Sequence, residues 1–139
     1  MSLTQLIYIS TKNPLPPAEI FRIQEQAERN NSRKGLTGVL LFNRDYFLQC
    51  LEGEREEVTH TFTVIATDDR HRQVNLLHAT DIEERGYPDW SMGMLDGNSP
   101  SLRRTLDDLL PGGLFLPANL TAATALLITQ RMRTLHFTR

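Results

Sequence analysis

Gly35-Leu36-Thr37-Gly38-Val39-Leu40-Leu41-Phe42, then Asn43-Arg44-Asp45, then Tyr46-Phe47-Leu48-Gln49-Cys50-Leu51-Glu52-Gly53: this run decides the fold. Glycines bracket an apolar stretch that reads as a strand over residues 35–43. Asn-Arg-Asp supplies turn chemistry, and residues 46–53 make the return strand of a hairpin. Val39-Leu40-Leu41-Phe42 is apolar on both faces, as is Phe47-Leu48 with Cys50-Leu51. Strands of that kind need cover on both sides of the sheet. Glu52-Gly53-Glu54 reads as a turn rather than a pair of working carboxylates.

Upstream, residues 3–10 are short, apolar and β-rich. Asn-Pro and Pro-Pro between residues 12 and 17 end that strand and start a helix at Pro17. Ile20, Ile23 and Ala27 then recur at helical spacing, and Asn30 and Asn31 continue it, which predicts carboxamides turned toward the interior. Downstream, residues 54–69 form a helix with Val58, Phe62 and Ile65 on one stripe. Residues 73–82 are a further strand, 85–89 a loop and 90–95 a last strand. The order βαββαββ favours an α+β, ferredoxin-like mixed sheet with two helices on one face. Residues 101–110 and 119–135, separated by Pro111-Gly112-Gly113, supply the cover for the other face. Leu120, Ala123 and Leu127, with Leu126, Met132 and Leu135, give the last helix an apolar stripe expected to dock on its own sheet. The expected division is residues 1–97 for the α+β domain and 98–139 for a C-terminal helical extension.

A chain of 139 residues with net charge −2 and pI near 6.1 has the size of one domain and no basic footprint for nucleic acid. The single cysteine, Cys50, rules out an intrachain disulfide and fits a reducing compartment. The opening MSLTQLIYIS lacks the basic start and cleavage site of a signal peptide, and no apolar run is long enough to cross a bilayer. A cytoplasmic protein is expected. Asp68, Asp69, Arg70 and His71, with His60 and His78, match no standard metal-ligand spacing, so no metal site is assigned.

Alternation along the strands places Leu6, Tyr8 and Ser10 on one face, as it does Phe47, Gln49 and Leu51, and Trp90, Met92 and Met94. If the two helices cover that face, Tyr8, Gln49, Met92, Asn30 and Asn31 converge on one pocket. A buried carboxamide without partners costs roughly 1–3 kcal/mol, so several together call for one another, for backbone or for a polar ligand. A flat ligand with an apolar body and a hydrogen-bonding edge would satisfy them, and a flavin ring fits that description. Each residue alone reads as ordinary packing, backbone bonding or helix capping.

Taken together, these stretches resemble the BLUF family of flavin-binding blue-light photoreceptors, found mainly in bacteria. The matching residues are Leu6-Ile7-Tyr8-Ile9-Ser10, Asn30-Asn31, the run from Gly35 to Phe42, Phe47-Leu48-Gln49, Leu51-Glu52-Gly53, Asp68-Asp69-Arg70-His71 and Trp90-Ser91-Met92-Gly93. The resemblance implies a flavin held between the two helices, with FAD as the favoured form. It implies Tyr8 as electron and proton donor and Gln49 as switch amide. It implies Asn31, with Asn30 beside it, as anchor of the ring edge, and Arg70 and His71 as ring-edge or phosphate-side contacts. Trp90 and Met92 resemble the pair whose packing near Gln49 changes on signalling. Many members carry a serine where this chain has Ala27, which removes one hydrogen-bond partner for Trp90. The output implied is a downstream protein or a homodimer or higher oligomer, without direct binding to nucleic acid or membrane. Two other classes remain open from the residues alone: a flavin enzyme on the same type of fold, and a structural adaptor without cofactor.

Overall fold

The computed structural model describes residues 2–137, with side chains described through residue 134. The chain runs β1 (Leu3–Lys12), α1 (Pro17–Lys34), β2 (Thr37–Phe42), β3 (Tyr46–Glu54), α2 (Arg55–Ala66), β4 (His71–Ile82), β5 (Gly93–Asp96), α3 (Pro100–Leu106) and α4 (Ala122–Phe137). Two short 3-10 turns, Pro111–Gly113 and Pro117–Asn119, lie between α3 and α4. One sheet has the strand order β4-β1-β3-β2-β5, antiparallel throughout except for the β2–β5 pair. The expected βαββαββ order and the ferredoxin-like fold class are therefore what forms.

Period-2 alternation sorts the strand residues into two interiors. Leu6, Tyr8, Leu40, Phe47 and Leu51 face α1 and α2 and meet Ile20, Ile23 and Val58 there. Ile7, Ile9, Val39, Leu41, Leu48 and Cys50 face the other way and meet Leu102, Leu106, Leu110, Phe115, Leu120, Ala125, Ile128 and Met132. The second layer comes from the same chain, so the last helix docks in cis. Its buried stripe is Ala125, Ile128, Thr129 and Met132, with Leu126 half-buried, while Ala123 and Leu127 point outward. The helix begins at Ala122, and that phase turns Leu127 off the inner face. Leu120 precedes the helix and is buried; the Leu135 side chain lies outside the described residues.

Two glycines are dictated by geometry. Gly35 ends α1 in the left-handed region, at φ 69°, and its N–H caps the Asn31 carbonyl. A Cβ on Gly38 would fall 1.9 Å from the Cys50 carbonyl oxygen, so only glycine lets β2 lie this close to β3.

Two sequence expectations are corrected. The last strand begins at Gly93, not at residue 90, so alternation cannot be carried back to Trp90. The indole instead folds over Gly93, where a Cβ would lie 2.2 Å from it, and packs in the C-terminal interior, opposite Met92. Glu52 is not in a turn: it is fully buried on β3, and its carboxyl oxygens accept from the Gly86 and Tyr87 amides, each at 3.0 Å.

Candidate functional site

β1 and β3 pair so that Tyr8 stands opposite Gln49, and β2 places Leu40 opposite Gln49 from the other side. The three side chains thus form one row across the sheet centre, beneath the two helices. Tyr8 is fully buried, and its hydroxyl donates to Gln49 Oε1. The other end of the carboxamide, Nε2, donates to the Met92 sulfur at 3.4 Å. A thioether is a weak acceptor, so the amide's donor side is bonded far less well than its oxygen. Burial, with Asp68 adding to it, pushes the Tyr8 pKa up and keeps the phenol protonated.

Along α1 the buried positions run Ile20, Ile23, Asn31, with Ala27 half-buried between them. Asn31 continues that stripe at i+4, and its Nδ2 donates to the Ser91 carbonyl at 2.7 Å. Asn30 lies one position round the helix and is exposed at the cavity rim, where it accepts from Arg33 at 2.6 Å. Adjacent helical residues point about 100° apart, so the pair could not both turn inward as expected. Gln24 donates to the Met92 carbonyl at 3.1 Å, and the Ser32 and Ser91 hydroxyls are 2.9 Å apart. Three α1 side chains thus hold Ser91 and Met92 in place beside Gln49.

Between α1 and α2 lies a cavity of about 120 Å³. Its walls are Ile23, Ala27, Leu40, Val64 and Ile65, and its polar lining includes Tyr8, Asn31, Gln49, Thr61 and His71. Val64 is 51% exposed, so the space opens to solvent between the helices. Lys34 and Arg70 also line it. Arg70 spans the cleft, donating to Asp68 at 2.7 and 3.0 Å and to Gln26 at 3.0 Å, with Glu19 at 3.5 Å. The Arg70 hydrogen bond holds the Asp68 carboxyl below its usual range.

His71 reaches the same wall through an irregularity no sequence pattern announced. The β1–β4 register slips between Ile9 and Thr11, and Gln73 there has φ 49°. A bulge of this kind re-aims the strand end. The His71 ring lies 4.8 Å from Phe47 and 6.2 Å from Tyr8, and its Nδ1 shares a 2.8 Å hydrogen bond with Ser10 Oγ. Burial lowers its pKa to about 4, so the imidazole is neutral at pH 7.

This donor set fits a flavin. The apolar walls suit a flat ring, and polar groups converge at its edge. Thr61 Oγ1 is buried and has no hydrogen-bond partner among the described residues. A buried hydroxyl that faces the cavity without a protein partner is free to bond a polar ligand edge there. Thr61, Gln24, Gln26 and Lys34 are not singled out by the sequence, and Ser91 enters it only within the stretch Trp90-Ser91-Met92-Gly93. Thr61 could have been found, because it falls at i+3 in the stripe from Val58 to Ile65. Gln24, Gln26 and Lys34 carry no pattern that separates them from solvated surface. Among the described residues no group of three His, Cys, Asp or Glu side chains is placed to hold a metal ion.

The comparisons agree with this geometry. The profile of the BLUF family, sensors of blue-light using FAD, matches residues 3–93. Photoactivated adenylate cyclase subunit beta of Euglena longa is 34% identical over 93 residues, covering 66% of this chain and 11% of its own length. The chain thus spans about a tenth of that relative. The dark-state structure of the BLUF protein BlrB superposes with a TM-score of 0.82 at 30% identity, covering 96% of this chain and 97% of that one. The photo-activated state of BlsA gives 0.83 at 25% identity, with 94% of each chain covered. The chain belongs to the BLUF family of flavin-binding blue-light sensors.

Proposed function

We propose that this chain is a blue-light photoreceptor in which Tyr8 and Gln49 form the photochemical pair, FAD is the bound flavin, and the output is a change in a partner protein or in self-association. The observation that carries this reading is the buried Tyr8–Gln49–Met92 chain at the edge of a cavity that suits a flavin ring. Asn31, Gln49 and Thr61 would hold the ring edge, His71 would close the far wall, and Lys34 and Arg70, with Asn30 at the rim, stand where the phosphate side would leave the cleft. Arg70 can serve a phosphate only by giving up part of its bonding to Asp68 and Gln26.

Excited by blue light, bound flavin supplies a strong one-electron oxidant. Tyr8 is the nearby phenol able to give up an electron, and its O–H already points at Gln49 Oε1. Loss of the electron makes a phenol acidic, so its proton moves along that bond. The electron and the proton then return to Tyr8, so no net oxidation remains, and Gln49 is left turned over or tautomerised. One carboxamide carries both donor and acceptor, so either outcome exchanges what it presents at the cavity and to Met92. Neither Leu nor an ionised Glu at position 49 could do this. The change leaves through Met92 and the strand that follows it toward the C-terminal helices, which residues 98–139 provide as the output element. The chain acts as a sensor rather than an enzyme and works in the cytoplasm. Among the described residues no helix is long and apolar enough to cross a membrane.

Illumination of flavin-loaded wild type is expected to red-shift the absorption reversibly, and Tyr8→Phe to eliminate the shift while keeping the flavin. A full red shift in Tyr8→Phe would remove Tyr8 from the mechanism.

A further inference from the structure

The site and α4 lie on opposite faces of the sheet, so a change at Gln49 needs a route around or through it. Residues 85–92 provide one. At one end Met92 accepts the Gln49 amide on the cavity side. Two residues earlier, Trp90 lies in the opposite interior, its indole 5.4 Å from the Tyr87 ring at 32°. The Trp90 amide also donates to the Tyr87 carbonyl at 3.3 Å. Tyr87 is 3% exposed, and its hydroxyl donates to the Thr129 carbonyl in the middle of α4.

The base of this segment is fixed. Glu52, three residues along β3 from Gln49, accepts from the Gly86 and Tyr87 amides and from Gln5 Nε2 at 2.9 Å. Arg85 donates to Thr37 Oγ1 at 2.8 Å, to the Glu52 carbonyl at 3.1 Å and to the Gly35 carbonyl at 2.7 Å. Residues 85–87 are therefore anchored to the start of β2, to the end of β3 and to the cap of α1. The Trp90 carbonyl also accepts from the Gly38 N–H at 3.0 Å, so with the backbone held at both points a displacement of Met92 reaches the Trp90 indole and the tilted Tyr87 ring beside it. The phenol is amphipathic in the useful sense: its ring packs with the indole and its hydroxyl is bonded to the helix.

We propose that Tyr87 is a positioning residue for signal output: its ring reads the position of Trp90, its hydroxyl carries that position to α4 at Thr129, and Glu52 fixes the pivot. This rests on the photoreceptor reading above and adds a coupling residue to it. The physical warrant is a single packed segment that touches both sites; the proposal requires it to have two placements, and each site would then bias the balance between them.

Hydrogen–deuterium exchange of the flavin-loaded full chain, in the dark and under blue light, tests this beside the absorption spectrum. Wild type is expected to show the red shift and a light-dependent change in α4 amide exchange of about fivefold or more, the lower end of ordinary coupling. Tyr87→Phe is expected to keep the red shift and lose the light-dependent change in α4, a difference that a merely structural role would leave in place. Glu52→Gln, which sets an amide N–H against the Gly86 or Tyr87 N–H, is expected to do the same, and it decides the matter if Tyr87→Phe fails to bind flavin. A full α4 response in either folded variant, or a red-shifting wild type whose α4 does not respond, would overturn the proposal. A wild type without any red shift would sink the photoreceptor reading itself, and absorption alone reports that.

Discussion

Alternate residues of the same strands build two unlike interiors in this protein. On the C-terminal side, Ile7, Ile9, Val39, Leu41, Leu48 and Cys50 close against Leu106, Phe115, Ile128 and Met132. On the other side, Leu6, Tyr8, Leu40, Phe47 and Leu51 meet helices that stand apart along a cavity of about 120 Å³, with an orphaned hydroxyl in its wall. Protein interiors ordinarily pack as densely as organic crystals and leave few voids wider than a water molecule. The contrast teaches that the same strands close one layer with aliphatic and aromatic side chains and leave, beneath α1 and α2, an apolar-walled cleft with the Thr61 hydroxyl in it.

The comparison can be broken most sharply at Gln49. Gln49→Leu should abolish the light-induced red shift entirely while flavin still binds, because a leucine cannot exchange donor for acceptor; light-minus-dark absorption reads this directly. Next in size, Phe115→Ala on the closed face should cost about 3–5 kcal/mol in urea unfolding. Ile23→Ala on the cavity face should cost no more than about 2 kcal/mol, since its surroundings are already partly empty. Equal losses would mean that the two faces are equally packed.

His71 sharpens the comparison through pH. Its folded pKa of about 4 lies below the ordinary 6.5, so the unfolded chain takes up the proton first as pH falls. Stability present above pH 6.5 should therefore decline between 6.5 and about 4, by on the order of 2–3 kcal/mol. His71→Gln, which can keep a bond to Ser10, should flatten that decline in urea midpoints taken across the range. Smallest of all, Thr61→Val should stabilise the flavin-free protein by about 1 kcal/mol, by removing a buried hydroxyl without a partner. It should also weaken flavin binding, measured by titration; an unchanged affinity would place Thr61 outside the ring's contacts.

Much of this was legible because two periodicities did the sorting. Period 2 along β1 and β3 placed Tyr8 and Gln49 on one face, and the helical spacing from Ile20 to Asn31 aimed a carboxamide at them. Where the reading failed, a period was carried past the end of its element. Alternation predicts Trp90 on the face of Met92 as if β5 began there, but the segment before Gly93 is held by Arg85, Glu52 and α1 contacts that span 30 residues or more of sequence. Spacing groups Asn30 with Asn31, although neighbours on a helix diverge. Glu52 looked like turn composition beside Gly53, because nothing local signals that a distant loop will bring two amides to it. The His71 placement depends on a bulge, and bulges depend on strand pairing rather than on composition.

The central claim is tested most directly by absorption spectra of the purified chain, expressed with ample flavin and recorded before, during and after blue illumination. The account predicts a yellow protein whose flavin band moves to longer wavelength in the light without bleaching and returns in the dark. A folded but colourless protein, or a bound flavin whose spectrum does not move, would contradict it.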